Sequence, residues 1–130
     1  MKGKRVFLAV FLGALIMSTA ACNSEAKLTE GTDGKDFLLR EVVLSEYKIV
    51  PARIKVQANA PIRFIVRNEG NFTHEFRVMV DPPRVLEVAP KSKDRMDMVF
   101  DKAGEYEFVC TLNGHERLGM KGEISVEAIE

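Results

Sequence analysis

The chain has 130 residues with 19 basic and 19 acidic side chains, a length typical of one domain and a balance of charge that is neutral overall. Nucleic-acid binding is disfavoured, because it would need a stripe of basic residues and the sequence contains none. The two cysteines, Cys22 and Cys110, allow at most one disulfide, so the domain must fold on a hydrophobic core rather than on a disulfide framework.

Residues 1–21 have the features of a secretory signal. Three basic residues lie within the first five positions, an apolar run of twelve residues covers 6–17, and small residues follow up to Cys22. A run of twelve is too short to span a bilayer, which takes about 20 apolar residues. We therefore predict that the protein is exported and that residues 1–21 are removed.

The end of this segment resembles a bacterial lipoprotein signal, because Ala20 and Ala21 directly precede Cys22. In such signals the cysteine is lipidated and becomes the new N-terminus. The resemblance implies a lipid anchor on Cys22, and hence a membrane-attached protein in the periplasm or at the cell surface. Thr19 stands where the family prefers an aliphatic residue, so ordinary cleavage without a lipid is the alternative.

The segment after Cys22 is polar. Residues 23–36 have almost no bulky apolar side chains, a composition typical of a flexible tether. The predicted organisation is therefore a signal at 1–21, a tether at 22–36 and one folded domain at 37–130.

From Phe37 onward, apolar and polar residues alternate with the period of β-strands. Candidate strands cover 47–50, 53–57, 62–67, 74–80, 95–100, 105–110 and 122–128, and turns rich in Gly, Pro and Asn separate them. Short strands spaced in this way predict an all-β sandwich or barrel. Residues 38–45 are compatible with either a strand or a short helical turn.

The same alternation predicts which side chains face the core. It pairs Ile54 with Val56, Met96 with Met98, and Tyr106 with Phe108, each on one face of its strand. Met79, Met96 and Met98 also fall at alternating strand positions and are interpreted as core residues.

The two histidines lie in places that suggest a metal site. His74 begins a strand, and His115 lies in a loop between the last two predicted strands. Cys110, His115 and Met120 follow a Cys-x4-His-x4-Met spacing, and two glycines in the loop permit tight turns that could gather these side chains around one point.

The residue types select the metal. Two histidines and one cysteine with a weak methionine ligand are typical of a blue-copper electron-transfer site. Zinc accepts histidine and cysteine but binds methionine poorly, and calcium or magnesium would need carboxylates. A binuclear copper centre would need a second cysteine in the loop. Cys110 and His115 could also be a nucleophile and its base, but no third orienting group is evident.

Two regions of the sequence resemble the cupredoxins, the family of small blue copper proteins. The first comprises Ile62–Phe64, Asn68–Gly70 and His74–Phe76, and the second runs from Gly104 to Thr111 and from Gly119 to Gly122. The similarity covers residues 47–128, most of the predicted domain.

The resemblance implies a Greek-key β-sandwich with the metal near one end. His74, Cys110 and His115 would form the trigonal plane around one type 1 copper ion, with Met120 as the long axial ligand. We predict that this chain is not an enzyme and that it carries single electrons between redox partner proteins; storage or delivery of copper is the alternative. We expect this chain to act as a monomer.

Two departures from the family pattern concern the loops around the site. Glu75 stands where many members have asparagine, and we predict that it accepts a hydrogen bond from the Thr111 region while adding negative charge. Asn113 replaces a proline found in several members. Leu112 and Leu118 flank His115 and form either an apolar docking patch or ordinary loop packing.

Overall fold

The computed structural model describes residues 28–30 and 36–129. The predicted signal, Cys22 and most of the predicted tether lie outside this range. In order along the chain, the strands are β1 (Leu28–Glu30), β2 (Asp36–Ser45), β3 (Lys48–Val50), β4 (Arg53–Gln57), β5 (Ile62–Asn68), β6 (His74–Val78), β7 (Arg84–Val88), β8 (Lys93–Met98), β9 (Gly104–Val109) and β10 (Lys121–Glu127). A 3₁₀ segment covers Leu112–Leu118. None of the helical structure in this range is long and apolar enough to cross a bilayer.

The strands form two sheets that pack face to face. One sheet has the order β1-β2-β5-β8, with β3 paired to β2, and the other has the order β4-β10-β9-β6-β7. The β2/β5 and β4/β10 pairs are parallel, and the other pairs are antiparallel. This arrangement confirms the predicted all-β Greek-key sandwich.

Alternating side chains of both sheets fill the space between them. In β5 every second residue is fully buried, because one face of the strand points at the opposite sheet. Aromatic rings connect the two sheets: the Phe64 ring centroid lies 5.2 Å from that of Phe76, which lies 5.3 Å from that of Phe108. Such offset pairs add to the stabilisation from apolar burial.

Most of the predicted strands are present, with boundaries that shift by a few residues. The predicted core faces of β4, β8 and β9 are confirmed, although Tyr106 is only partly buried. Residues 38–45 form part of β2 and are therefore strand. The interpretation of Met79 as a core residue is wrong: β6 ends at Val78, and the Met79 side chain is 45% exposed.

Two strands were not predicted. β7 is mostly exposed, so its sequence lacks the strong alternation of a half-buried strand. β1 lies within the segment predicted as a tether, and its three residues pair with β2 in the register Leu28↔Leu38 to Glu30↔Asp36. Backbone pairing at a sheet edge needs no particular side chains, which is why composition gave no sign of it.

An ion pair links β5 to β8 on the outer side of the first sheet. The Arg63 guanidinium donates two hydrogen bonds of 2.6 Å to the carboxylate of Asp97, and it also lies 4.0 Å from the ring centroid of Phe37. The hydrogen bonds from Arg63 lower the pKa of Asp97 below its ordinary value. Planar two-point contacts of this kind are the stronger form of ion pair.

We expect Asp97→Asn to lower the free energy of unfolding by about 1 kcal/mol at neutral pH, because it removes the charge that Arg63 binds. The pKa of Asp97 is lower in the folded than in the unfolded protein, so the ionised carboxylate stabilises the fold fully above the unfolded pKa of about 3.9. This stabilisation is lost as the pH falls through the folded pKa. Urea unfolding from pH 7 to pH 2 measures this difference. A difference in unfolding free energy between wild type and variant that stays constant down to pH 2 would contradict the proposed Arg63–Asp97 stabilisation.

Candidate metal centre

Three predicted ligands meet at one end of the sandwich. One donor atom from each of His74, Cys110 and His115 lies within 4.8 Å of the other two, and all three residues are buried. The Cys110 sulfur is 4.0 Å from Nδ1 of His74 and 3.6 Å from Nδ1 of His115. Both imidazoles therefore present Nδ1 to the sulfur, so that one ion could contact all three donor atoms.

Strand pairing explains why these residues meet. His74 is the first residue of β6, and Cys110 directly follows β9, which pairs with β6. The backbone N–H of Glu75, the neighbour of His74, donates a 3.4 Å hydrogen bond to the Cys110 sulfur. His74 and Cys110 are 36 residues apart in the chain, and the pairing of β6 with β9 brings them together.

The loop from Cys110 to Met120 is closed by its own backbone. The Cys110 N–H donates to the Met120 carbonyl at 3.0 Å, and the Met120 N–H donates to the His115 carbonyl at 3.1 Å. Gly114 and Gly119 have left-handed backbone conformations, as predicted, with φ of 74° and 99°. Met120, the last residue of this loop, is fully buried. All four predicted ligand residues are therefore buried.

Burial shifts the pKa values of two of the candidate ligands, Cys110 and His74. It is the main reason that the pKa of the Cys110 thiol is raised, although hydrogen bonds from the backbone of Glu75 and Leu112 act in the opposite direction. Burial, and then repulsion from His115, lowers the pKa of His74. The cluster without a metal therefore holds a neutral thiol and a neutral His74 imidazole near pH 7. Binding of a cation would release the thiol proton.

The donor set fits one type 1 copper ion. It combines one sulfur that becomes a thiolate, two imidazoles and a nearby buried thioether residue, which is the combination that copper electron-transfer sites use. No carboxylate belongs to the cluster among the described residues, so the hard cations calcium and magnesium are poor matches.

Glu75 joins the two segments that carry the cluster. Its carboxylate oxygen Oε1 accepts hydrogen bonds from the Thr111 N–H at 2.8 Å and the Thr111 hydroxyl at 2.6 Å. The predicted hydrogen bonding of Glu75 to the Thr111 region is thus confirmed.

The charge of Glu75 is balanced within the protein. The Arg77 guanidinium donates hydrogen bonds to both carboxylate oxygens, at 3.0 and 3.3 Å. Burial alone would raise the pKa of Glu75, but the hydrogen bonds from Arg77 and Thr111 outweigh it and lower the pKa. The residue next to His74 therefore carries a buried carboxylate that both Arg77 and Thr111 hydrogen-bond.

We expect Glu75→Ala to lower the free energy of unfolding of the metal-free protein by about 2 kcal/mol, because the Thr111 donors lose their acceptor. Chemical denaturation measures the change. Glu87→Ala is the matched control: Glu87 faces Glu75 across the β6/β7 pair but is exposed, and we expect it to change stability by less than about 0.5 kcal/mol. Equal effects of the two substitutions would show that Glu75 does not link the loops.

Exposed apolar side chains lie on the segments that carry or contact the candidate ligands. The Tyr47 ring meets the His115 ring edge-on, with centroids 5.4 Å apart. Leu118 is 58% exposed and Phe72 is 61% exposed, each within three residues of a candidate ligand. Leu112, in contrast, packs against the core. Of the two leucines, Leu118 fits the docking interpretation and Leu112 the packing interpretation.

Some residues that shape the site were not predicted from the sequence. Asn68 is buried and donates two 2.8 Å hydrogen bonds from its amide, to the carbonyls of Phe72 and Val88, so it holds the turn before His74. Tyr47 contacts His115 from a tight turn distant in sequence. The sequence Asn68-Glu69-Gly70 is typical of a turn, but nothing in the local sequence marks Tyr47.

Comparison with known proteins identifies the family of the chain and agrees with its fold. The family described as cupredoxin-like domain matches residues 7–126. A copper-resistant cuproprotein, CopI, from Rubrivivax gelatinosus is 30% identical over 107 residues, which cover 68% of this chain and 65% of that protein. The chain thus spans slightly less than two thirds of that relative. CopI from Pseudomonas aeruginosa is 25% identical over 135 residues, covering 67% of this chain and 75% of the relative.

Solved structures show the same fold at low identity. Dithionite-reduced auracyanin from Roseiflexus castenholzii has a TM-score of 0.63 and 17% identity, over 68% of this chain and 96% of that chain. Auracyanin B has a TM-score of 0.62 and 16% identity, over 68% of this chain and 88% of auracyanin B. A multicopper oxidase from Campylobacter jejuni has a TM-score of 0.59 and 16% identity, and the match covers 70% of this chain but 30% of the oxidase.

Proposed function

The chain belongs to the cupredoxin-like family, and from this premise we propose that it carries single electrons between redox partner proteins. His74, Cys110 and His115 would hold the copper ion, with Met120 as a fourth, weaker ligand. When bound, the ion supplies a one-electron couple between Cu(II) and Cu(I). The observation that carries this proposal is the convergence of three buried donor atoms within 4.8 Å.

The protein's own part would be to hold the ligands still. The sheet positions His74 and Cys110, and the bond between the Cys110 N–H and the Met120 carbonyl closes the loop that carries the other two residues. A site fixed in this way needs little rearrangement when one electron moves. The hydrogen bond from Glu75 N–H to the sulfur would tune the potential, since contacts to the thiolate are a main determinant of it.

The apolar surface near His115 would be the docking site for a redox partner. Tyr47, Phe72 and Leu118 expose large apolar side chains on segments that carry or contact the ligands. A partner seated there would approach the metal through His115, which is 7% exposed. A single cluster of this kind occurs within the described residues, which favours a carrier over an enzyme with several copper sites.

Reversible redox titration tests this function. We expect purified protein loaded with Cu(II) to show an intense thiolate-to-copper absorption band that disappears on reduction by one electron and returns on oxidation. A copper ion that binds but cannot be cycled would end the proposal.

Copper storage or delivery is the second candidate. Its support is that the two CopI relatives are described as copper-resistant cuproproteins. Competition with a copper chelator distinguishes the two functions. A carrier should retain its ion over many redox cycles, whereas a delivery protein should exchange it rapidly with the chelator.

We also propose that the protein works outside the cytoplasm as a monomer, with residues 1–21 removed and Cys22 lipidated to attach residues 37–130 to a membrane. The support is the lipoprotein-like sequence before Cys22. Mass spectrometry of the mature N-terminus tests this: a lipid-sized mass increase on Cys22 is expected, and an unmodified or internal N-terminus would contradict it.

A further inference from the structure

The ring nitrogen Nε2 of His74 is buried without a hydrogen-bond partner among the described residues. Nδ1 of His74 faces the Cys110 sulfur, so Nε2 lies on the side of the ring away from the cluster. Once Nδ1 binds a metal ion, Nε2 carries the ring proton and becomes a donor. Ligand histidines almost always donate this proton to a carboxylate, a carbonyl or a water molecule.

A carboxylate lies across a small gap from this nitrogen. Glu46, in the turn between β2 and β3, and His74 approach the same point beside Gly70. A Cβ atom on Gly70 would lie 2.8 Å from Glu46 Oε1 and 3.0 Å from His74 Nε2. Only a glycine leaves this space open, so the backbone of Gly70 forms one wall of the gap between the donor and the acceptor.

Glu46 is itself held in place. Its Oε1 accepts a hydrogen bond from the backbone N–H of Asn71, which lies in the loop leading to His74. This bond is the main reason that the pKa of Glu46 is lowered, and it holds the carboxylate beside Gly70.

One other oxygen lies near the same point. Asn68 Oδ1 would be 3.1 Å from the Gly70 Cβ, but it already accepts the Gly70 N–H at 2.9 Å and carries no charge. Of the two side chains, Glu46 is thus the better acceptor for a proton on a metal-bound imidazole, because charge-assisted hydrogen bonds are the stronger ones.

We propose that Glu46 is a positioning residue of the metal centre, whose carboxylate accepts the Nε2–H of His74 directly or through one water molecule in the gap beside Gly70. This inference rests on the proposed function, in which His74 binds copper through Nδ1. The hydrogen bond would fix the ring orientation and keep the proton on Nε2. The negative charge of the Glu46 carboxylate would favour Cu(II) over Cu(I) and so lower the reduction potential of the copper ion.

Glu46→Gln tests the proposal, because glutamine keeps an oxygen for the Asn71 N–H and removes only the charge. In purified protein we expect the Cu(II) affinity to fall about 10-fold, at the lower end of the range for partners of metal ligands, and the reduction potential to rise. The thiolate-to-copper band should persist. Glu69→Gln is the matched control: it removes one exposed carboxylate from the same loop region, and we expect no change in affinity.

A second readout does not need copper. Nitrogen-15 NMR of the histidine rings in the metal-free protein should show His74 with its proton on Nε2, protected from exchange with water. In Glu46→Gln this proton should exchange faster. Gly70→Ala, which places a methyl group in the gap, should have the same effect on exchange.

The outcomes separate the two proposals. If wild-type protein shows no thiolate-to-copper band, the electron-carrier function fails, and the NMR measurement still decides the role of Glu46. If the band is present but Glu46→Gln behaves like Glu69→Gln in affinity, potential and proton exchange, the positioning role is overturned while the function stands.

Discussion

Replacing Cys110 with serine is expected to abolish the intense thiolate-to-copper absorption and to weaken Cu(II) binding by more than about 100-fold. A serine hydroxyl stays protonated and is a hard donor, so the site would lose the one ligand that gives copper its strong charge-transfer band. Loss of a neighbour of a ligand already costs about 10- to 100-fold, and loss of the ligand itself should cost more. Optical titration with Cu(II) and competition with a chelator measure the two effects.

The other cysteine provides the control. Cys22→Ser leaves His74, Cys110 and His115 unchanged, and we expect the band to remain at full intensity. The assignment of the sulfur ligand would be wrong if Cys110→Ser retained the band. Unchanged unfolding of the metal-free variant would show that the loss comes from the ligand and not from misfolding.

Gly122→Ala should cause a large loss of stability. Gly122 pairs with Phe108 across β10 and β9, and a Cβ at this position would overlap both the Phe108 ring and the Ala52 carbonyl oxygen. The ring cannot move freely, because it packs on Phe76 in the core. We expect the free energy of unfolding to fall by about 3 kcal/mol, the upper range for overpacking, as measured by urea denaturation.

The neighbouring residue tests whether the effect is specific. Glu123 is exposed on the same strand, and Glu123→Ala should change stability by less than about 0.5 kcal/mol. If both variants unfolded at the same urea concentration, the close packing around Gly122 would not be a determinant of stability.

The features that could be predicted from the sequence are those in which local pattern and structure coincide. Alternation placed Ile54 and Val56 on one buried face because a strand with one face on a core has a period of two. Cys110 and His115 share a short loop, so their spacing already limited their separation. The contact between Glu75 and Thr111 was predictable from the family position that Glu75 occupies.

The features that could not be predicted depend on tertiary contacts. Met79 follows the strand alternation, but β6 ends one residue earlier and leaves its side chain outside the core. The approach of Glu46 to His74 joins a turn and a strand that are far apart in sequence, and it is possible only because Gly70 lacks a side chain. No local pattern carries that information.

The pairing of β6 with β9 also makes copper a visible reporter of refolding. Cys110, His115 and Met120 are neighbours in any conformation of the chain, whereas His74 joins them only after distant strands have docked. An unfolded chain given Cu(II) should thus remain nearly colourless until the sandwich closes. The rate at which colour develops after dilution from urea would then time the long-range step of folding, with no added dye or label.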